Sequence, residues 1–347
     1  MAEEAKTCTG VAFTKPLHAE VRDDIPVPEM DETGAVTRTV FSTISRGTEL
    51  DLYTGQFHSR KAGTQWYPML PGYIPVGEVL EIGDKVDHIE PGDYVIGSNL
   101  FGTWAGDYCV AWGGHLETVV YSKQTHSGQS AERAVKVPSG VKLQHAGLAM
   151  LGAIAYHGVE YKVQPGEGET ILVIGQGAIG SMAAQLCHVR GARVIVAALC
   201  QNRLDVAEQW GAAGTINTAE VDLWEGVREL CEDGEPQAII EVTGEPDLLD
   251  DVLHNAPAYC RIHAQGMYLE PISLYIPETL FGRQLTLSAT CGERPEMVAA
   301  VLELMAEKKL QVEHLLTDIM GYDEATAAYE RVHGEPDEVV TIALDWR

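Results

Sequence analysis

The sequence predicts an α/β protein in which a doubly wound parallel sheet is inserted into a second, β-rich domain. Three observations predict it. The stretch Glu169–Leu199 reads strand, glycine turn, helix, strand. From Pro165 onward, apolar strand-like runs alternate with helical periodicity, the order that a parallel sheet with crossover helices requires. Residues 1–155 instead read as short strands broken by Gly, Pro and Asp, with no sustained helical period before Leu143–Lys162.

The first observation is the most specific. The apolar run Ile171–Ile174 feeds Gly175-Gln176-Gly177-Ala178-Ile179-Gly180, and Ile179, Met182, Ala183 and Leu186 follow at helical spacing. Gly191 stops the helix before a second apolar run, Val194–Leu199. A G-x-G-x-x-G in that context is a dinucleotide-binding fingerprint. Gly175 allows the tight turn, Gly177 lets the backbone approach a pyrophosphate, and Gly180 lets helix and strand pack closely. The free N–H groups near Ala178 and Ile179 then face the phosphates. The remaining strands are expected at Thr215–Asn217, Ala238–Val242, Arg261–Gln265 and Leu285–Ala289, and a helix at Pro295–Lys308. In the N-terminal half they are expected at Val36–Ile44, Val76–Ile82, Tyr94–Gly97, Leu116–Tyr121 and Arg133–Val137, and the tail closes with a strand-like run, Val339–Leu344. That order implies one interrupted domain, 1–155 with 312–347, around an inserted dinucleotide-binding domain, 156–311, with the active site in the cleft between them.

Composition narrows the partners. A net charge of −27 disfavours nucleic acid and anionic membranes, both of which need basic patches. The seven cysteines are scattered and odd in number, with no C-x-x-C spacing, so neither a disulfide framework nor a cysteine metal site is expected. The start of the chain, MAEEAKTCTG, has no basic segment followed by an apolar one. The expectation is a cytoplasmic protein acting on a small molecule, with no nucleic-acid or membrane partner.

Several stretches carry a family resemblance: Pro71-Gly72-Tyr73-Ile74-Pro75-Val76-Gly77-Glu78-Val79, Pro91-Gly92-Asp93-Tyr94-Val95, Gly113-Gly114-His115-Leu116-Glu117 and the glycine-rich core. Together they resemble the medium-chain dehydrogenase/reductase superfamily over nearly the whole chain. Within it, Ile44-Ser45-Arg46-Gly47-Thr48-Glu49 and Ala343-Leu344-Asp345-Trp346 look most like the bacteriochlorophyllide hydroxyethyl dehydrogenase branch, which oxidises a secondary alcohol on a chlorin side chain. The resemblance implies a Rossmann sheet plus a GroES-like, β-barrel-type catalytic domain, a nicotinamide cofactor and a homodimer.

The departures from that family are as informative. Zinc alcohol dehydrogenases place Cys where this chain has Arg46 and His-Glu where it has Tyr73-Ile74, with a third ligand near Met150-Leu151. None of these offers the thiolate, imidazole or carboxylate that zinc prefers. The structural zinc lobe falls near Asn99–Trp112, which holds only Cys109. No metal is therefore expected. His115, His145 and His157 lack ligand spacing and read as hydrogen-bonded or surface residues.

Hydrogen bonds or a fixed charge must then do what the cation does. By the resemblance, Thr48 matches the proton-relay hydroxyl and Asp51 the next relay group. Arg46 occupies a zinc-ligand position and can face the oxyanion, with Tyr73 a donor to the same oxygen. The competing structural reading pairs Arg46 with Glu49 as an internal salt bridge, and lets Glu117 fix a turn. On the cofactor side, the second strand ends Ala197-Ala198-Leu199-Cys200 without the carboxylate that takes ribose hydroxyls. Asn202 and Arg203 can bind a 2′-phosphate, so NADP(H) is favoured over NAD(H), while Thr243 and Gly266 line the nicotinamide side. The function expected is zinc-independent oxidation of a secondary alcohol on a sugar, polyol or ring-bearing molecule. The alternatives are a metal-free quinone or enoyl reductase and a non-catalytic NADPH-binding sensor. Trp66, Phe101, Trp104, Tyr108 and Trp112 form either an aromatic wall for a ring-bearing substrate or ordinary packing.

Overall fold

A computed structural model describes residues 6–56, 67–97, 101–123, 130–232 and 234–347. Its contacts divide the chain into two compact units. The first comprises Met1–Met150, Arg294–Ala306 and Leu315–Arg347, and the second Leu151–Glu293 and Glu307–His314.

The first unit starts with strands β1 (Thr7–Lys15) and β2 (His18–Pro26), then β3 (Ala35–Thr43), helix α1 (Arg46–Thr54), β4 (Met69–Leu70), β5 (Pro75–Ile82) and β6 (Tyr94–Ile96). It continues with β7 (Phe101–Ala105), β8 (Tyr108–Ala111), β9 (Thr118–Tyr121), β10 (Val135–Lys136) and helix α2 (Leu143–Ala146), and helix α3 (Leu148–Gly158) runs across the division after Met150 into the second unit. The second unit alternates β11 (Thr170–Ile174), α4 (Ala178–Val189), β12 (Arg193–Ala198), α5 (Gln201–Trp210), β13 (Gly214–Asn217) and α6 (Leu223–Leu230). There follow β14 (Ala238–Glu241), α7 (Pro246–Asn255), β15 (Arg261–Ala264) and β16 (Thr286–Ala289). The chain then returns to the first unit with α8 (Pro295–Ala306), β17 (Asp318–Gly321), α9 (Ala325–Gly334) and β18 (Ile342–Asp345).

In the second unit the strand order is β13-β12-β11-β14-β15-β16, and every pairing is parallel. The strand order reverses at β11/β14, the crevice where such sheets bind dinucleotides. The middle strands are buried on both faces, so Thr170–Ile174 and Arg193–Ala198 read as nearly unbroken apolar runs rather than alternating ones. This is a Rossmann sheet.

The first unit holds two sheets. One runs β2-β1-β4-β8-β7, and the other β10-β6-β5-β3-β18-β17 with β9 also on β3. Together they make the GroES-like β domain. Within it, α1 leaves the end of β3, the strand to which the C-terminal β18 pairs antiparallel through Ala343↔Thr43 and Leu344↔Ser42.

Three elements differ from the sequence expectation for physical reasons. The β1–β2 hairpin goes unpredicted because β2 buries only Ala19 and Ile25 among charged neighbours, so no clean alternation shows. The expected strand Arg133–Val137 begins with a 3₁₀ turn over Ala131–Arg133, leaving Val135–Lys136 to pair with β6. Helix α1 is short, contains Gly47 and buries only Glu49, Leu52 and Tyr53, too few apolar positions to mark a helical face. Among the described residues no helix is long and apolar enough to cross a membrane.

Candidate active site

In the nucleotide unit each fingerprint glycine has a distinct constraint. Gly175 turns the chain at φ +97°, where a Cβ would sit 3.0 Å from Thr243 Cγ2. At Gly180 a Cβ would lie 1.9 Å from the Gly175 carbonyl oxygen, so nothing larger than hydrogen fits between helix and turn. Gly177 is different: it is the N-cap of α4 in extended conformation, and a Cβ there would meet nothing within 4 Å. The protein does not need that space. A phosphate approaching the backbone does. Ser181 N donates to Gly177 O at 2.9 Å, which starts the helix and leaves the first-turn amides of Ala178, Ile179 and Gly180 without intrahelical acceptors. The turn fits a dinucleotide pyrophosphate.

At the ribose end β12 closes with buried Ala198 and exposed Leu199, and Cys200 is the N-cap of α5. Asp205, the nearest acid, accepts from Gln201 Nε2 at 2.8 Å, and Gln201 Oε1 accepts from Asn217. Asn202 is exposed and Arg203 half-buried on the first turn of α5.

The loops after β14 and β15 are tied to one buried carboxylate, Glu241. It accepts from Thr243 N at 2.7 Å and Gly244 N at 3.3 Å, and also from the Thr243 and Tyr268 hydroxyls. Burial, reinforced by that carboxylate, pushes the Tyr268 phenol far above its ordinary value and keeps it a donor. Gly266 N donates to the Glu241 carbonyl, and a Cβ on Gly266 would come within 2.3 Å of Gly244 N. Thr243 and Gly266, expected together from the sequence, thus belong to one tightly packed turn pair.

In the first unit, α1 carries Arg46, Thr48 and Asp51. Arg46 is half-buried and its Nη1 donates to Val339 O at 2.9 Å. Thr48 and Asp51 are half-buried and three residues apart, so they occupy adjoining positions on the helix surface. Tyr73, just before β5, is buried, and its hydroxyl lies 2.7 Å from Ser45 Oγ at the N-cap of α1. The Tyr73 ring also packs on Trp112 with centroids 5.4 Å apart.

The internal pairing of Arg46 with Glu49 is not what forms. Glu49 is fully buried and accepts from Ser45 N at 2.9 Å, from His115 Nε2 at 2.9 Å and from the Tyr329 hydroxyl at 2.5 Å. His115 Nδ1 in turn lies 2.7 Å from Ser42 Oγ, which accepts from Trp346 Nε1 at 2.8 Å. His115 is a hydrogen-bonded core histidine, as its isolation in sequence suggested. Glu117 does hold a backbone group, accepting from Thr9 N at 3.2 Å.

The profile of the zinc-binding dehydrogenase family matches residues 178–307. A sorbitol dehydrogenase of Halalkalibacterium halodurans is 25% identical, over 85% of this chain and 88% of its own. The 2-desacetyl-2-hydroxyethyl bacteriochlorophyllide A dehydrogenase of Cereibacter sphaeroides is 28% identical over 90% of each chain. Among solved structures, a dehydrogenase of Sinorhizobium meliloti 1021 bound to NADP superposes with TM-score 0.80 at 19% identity, covering 98% of this chain and 99% of its own. The chain thus resembles medium-chain dehydrogenases over most of its length. It is an oxidoreductase.

At the positions where the resemblance places zinc ligands, this chain offers no thiolate, imidazole or carboxylate. Arg46 is a cation that cannot be deprotonated in proteins, and Tyr73 is held by Ser45. Ile74, Met150 and Leu151 are buried apolar side chains. The family profile matches a segment that includes neither Arg46 nor Tyr73. Among the described residues, no three His, Cys, Asp or Glu side chains converge on a point. Cys109 is buried on β8, its thiol pushed up by that burial.

The aromatic wall resolves only in part. Trp66 and the loop before it lie outside the described residues, as does Asn99. Trp104 is exposed, Tyr108 is buried and donates to Asp24 Oδ1, and Trp112 packs on Tyr73. Sequence reasoning missed Ser42, Tyr329 and the role of Glu241, since each finds its partner only through the tertiary fold.

Proposed function

We propose that this dehydrogenase interconverts a secondary alcohol and its ketone by hydride transfer, without zinc and with NADP(H) in preference to NAD(H). The observation that carries the reading is the Tyr73 hydroxyl, buried and paired with Ser45 at 2.7 Å, at a position where the family resemblance implies a zinc ligand. A phenol there can donate to the oxygen on which charge develops, the task otherwise done by a cation.

The bound nicotinamide supplies the acceptor or donor of hydride. The turn Gly175–Gly180 and the first-turn amides of α4 hold its pyrophosphate, and the pair of turns anchored by Glu241 shapes the nicotinamide side. Tyr73 donates to the substrate oxygen, and Thr48 takes the hydroxyl proton as it gives its own to the Asp51 carboxylate, which releases it to solvent. Arg46 adds a fixed positive charge at the start of the same helix. Relatives named for a sugar alcohol and for a chlorin hydroxyethyl group support an alcohol substrate.

The test is an assay of purified enzyme with NAD⁺ and NADP⁺ against sorbitol, 2,3-butanediol and L-threonine, with and without EDTA, beside elemental analysis. Turnover that survives the chelator is the expected result. Stoichiometric zinc, or reduction of enones without alcohol oxidation, sinks the reading.

Cofactor choice has its own test. Ala198 ends β12 where NAD-selective folds carry an acid, and Asn202 and Arg203 follow on α5. Ala198→Asp should lower the ratio of kcat/KM for NADP⁺ over NAD⁺ by at least about tenfold, through repulsion of the 2′-phosphate and new bonds to the ribose. A wild-type enzyme that already prefers NAD⁺ would contradict the assignment.

A homodimer is also proposed. Strand β16 is the edge of the Rossmann sheet, and Phe281, Tyr275 and Ile276 nearby are 78%, 62% and 55% exposed. Long unpaired edges with apolar neighbours are a liability unless covered, and a second copy covers them. Light scattering should give twice the chain mass, and Phe281→Glu should halve it. A monomeric wild type refutes this.

A further inference from the structure

Ser45 begins helix α1 but does not cap it. Ser45 is an ideal N-cap residue in the extended conformation that capping needs, φ −88° and ψ 106°, yet its side chain makes no bond to the first turn. The hydroxyl goes to Tyr73 instead. Helix stabilisation is forgone to hold two hydroxyls together.

We infer that Ser45 and Glu49 are positioning residues for Tyr73, and that the buried chain Trp346–Ser42–His115 with Tyr329 fixes Glu49 in that role. The inference rests on the reading of Tyr73 given above and adds what orients it. Glu49 takes the Ser45 N–H on Oε1, which locks the extended backbone of Ser45 and directs Oγ toward Tyr73. Either hydroxyl of the pair can donate to the other; with Ser45 as the donor, the Tyr73 oxygen accepts and its own hydrogen is directed elsewhere.

The other carboxylate oxygen is held by donors whose polarity is fixed. Trp346 Nε1 and the Tyr329 hydroxyl can serve here only as donors, to Ser42 Oγ and Glu49 Oε2 respectively. Ser42 therefore has its own hydrogen for His115 Nδ1, and His115 Nε2–H then points at Glu49. Burial, with the Glu49 charge second, raises the Tyr329 phenol well above its ordinary value, consistent with that donor role. Ser42, Glu49, His115 and Tyr329 are all fully buried, so no water competes for these bonds.

The same cluster also fixes the other end of the hydroxyl pair. Gly72, next to Tyr73, has φ +90°, and a Cβ there would lie 2.5 Å from His115 Cδ2. The His115 ring thus packs directly on the backbone that presents Tyr73, while Glu49 grips Ser45. One buried unit sets both partners.

The inference is tested by structure and by kinetics. A crystal structure of Glu49→Ala should show Ser45 Oγ released from Tyr73 and bonded to a first-turn amide of α1, whereas Glu49→Gln, which keeps an acceptor for Ser45 N, should leave the pair together. With 2,3-butanediol or sorbitol as probe, Ser45→Ala should lower kcat about tenfold with cofactor KM unchanged, and Ser45→Thr should restore most of it. Ser45→Ala should cost nothing further in a Tyr73→Phe background, because it acts through Tyr73. A Ser45–Tyr73 pair that stays intact in Glu49→Ala, or a Ser45→Ala loss that is fully additive with Tyr73→Phe, overturns the inference. If wild type oxidises none of these alcohols but Glu49→Ala releases Ser45 as described, the positioning stands and the alcohol reading falls.

Discussion

Gly177→Val should weaken NADPH binding on the order of 100-fold, roughly 2.7 kcal/mol, while the protein stays folded. A Cβ at this position would meet nothing within 4 Å, so the loss is not expected to come from repacking the core. Its extended backbone suits valine, and the helix loses only N-cap preference, about 1 kcal/mol. The valine instead fills the space through which the pyrophosphate reaches the amides of α4. Gly180→Ala makes the contrast: its methyl group would sit 1.9 Å from the Gly175 carbonyl, so that variant should lose stability first, by about 1–3 kcal/mol or more. Fluorescence titration with NADPH beside thermal denaturation separates the two. Unchanged affinity in Gly177→Val would remove the fingerprint from the cofactor site.

Tyr73→Phe should lower kcat by about 10²–10³-fold, the loss typical of removing one donor to a developing oxyanion. The phenyl ring keeps its packing on Trp112, so the change removes a hydroxyl and leaves Ser45 Oγ short of a partner. That costs stability of about 1–3 kcal/mol, and NADPH affinity should be unaffected. Steady-state rates beside a cofactor titration test it. A variant that retains most of its kcat would move the oxyanion donor elsewhere, with Arg46 the next residue to replace.

The nucleotide half is legible in sequence because its requirements are local. The jobs of Gly175, Gly177 and Gly180 all fall within six residues, and buried parallel strands announce themselves as apolar runs. The hydroxyl site is legible in its candidate residues but not in the network that holds them. Arg46, Thr48 and Asp51 came from one motif, but Glu49 finds His115, Tyr329 and Ser45 at sequence separations of 66, 280 and 4. Only the last of these is local, one helical turn along the chain. With both carboxylate oxygens thus occupied, pairing with Arg46 did not form, although the i, i+3 spacing allowed it. Glu241 was hidden for a related reason: a lone acid ending an apolar strand has no local signature, and its donors lie on two different loops.

The meeting of β18 with β3 also bears on how the chain acquires its shape. Asp345 pairs with Phe41, so a sheet begun in the first eighth of the polypeptide is completed only by its last few residues. Contacts so distant along the chain close slowly, because the entropy of a very long loop must be overcome before they form. The inserted sheet has no such requirement and can collapse while synthesis continues. Refolding experiments should therefore find coenzyme affinity recovered before alcohol turnover, with the hydroxyl machinery the last part of the molecule to become competent.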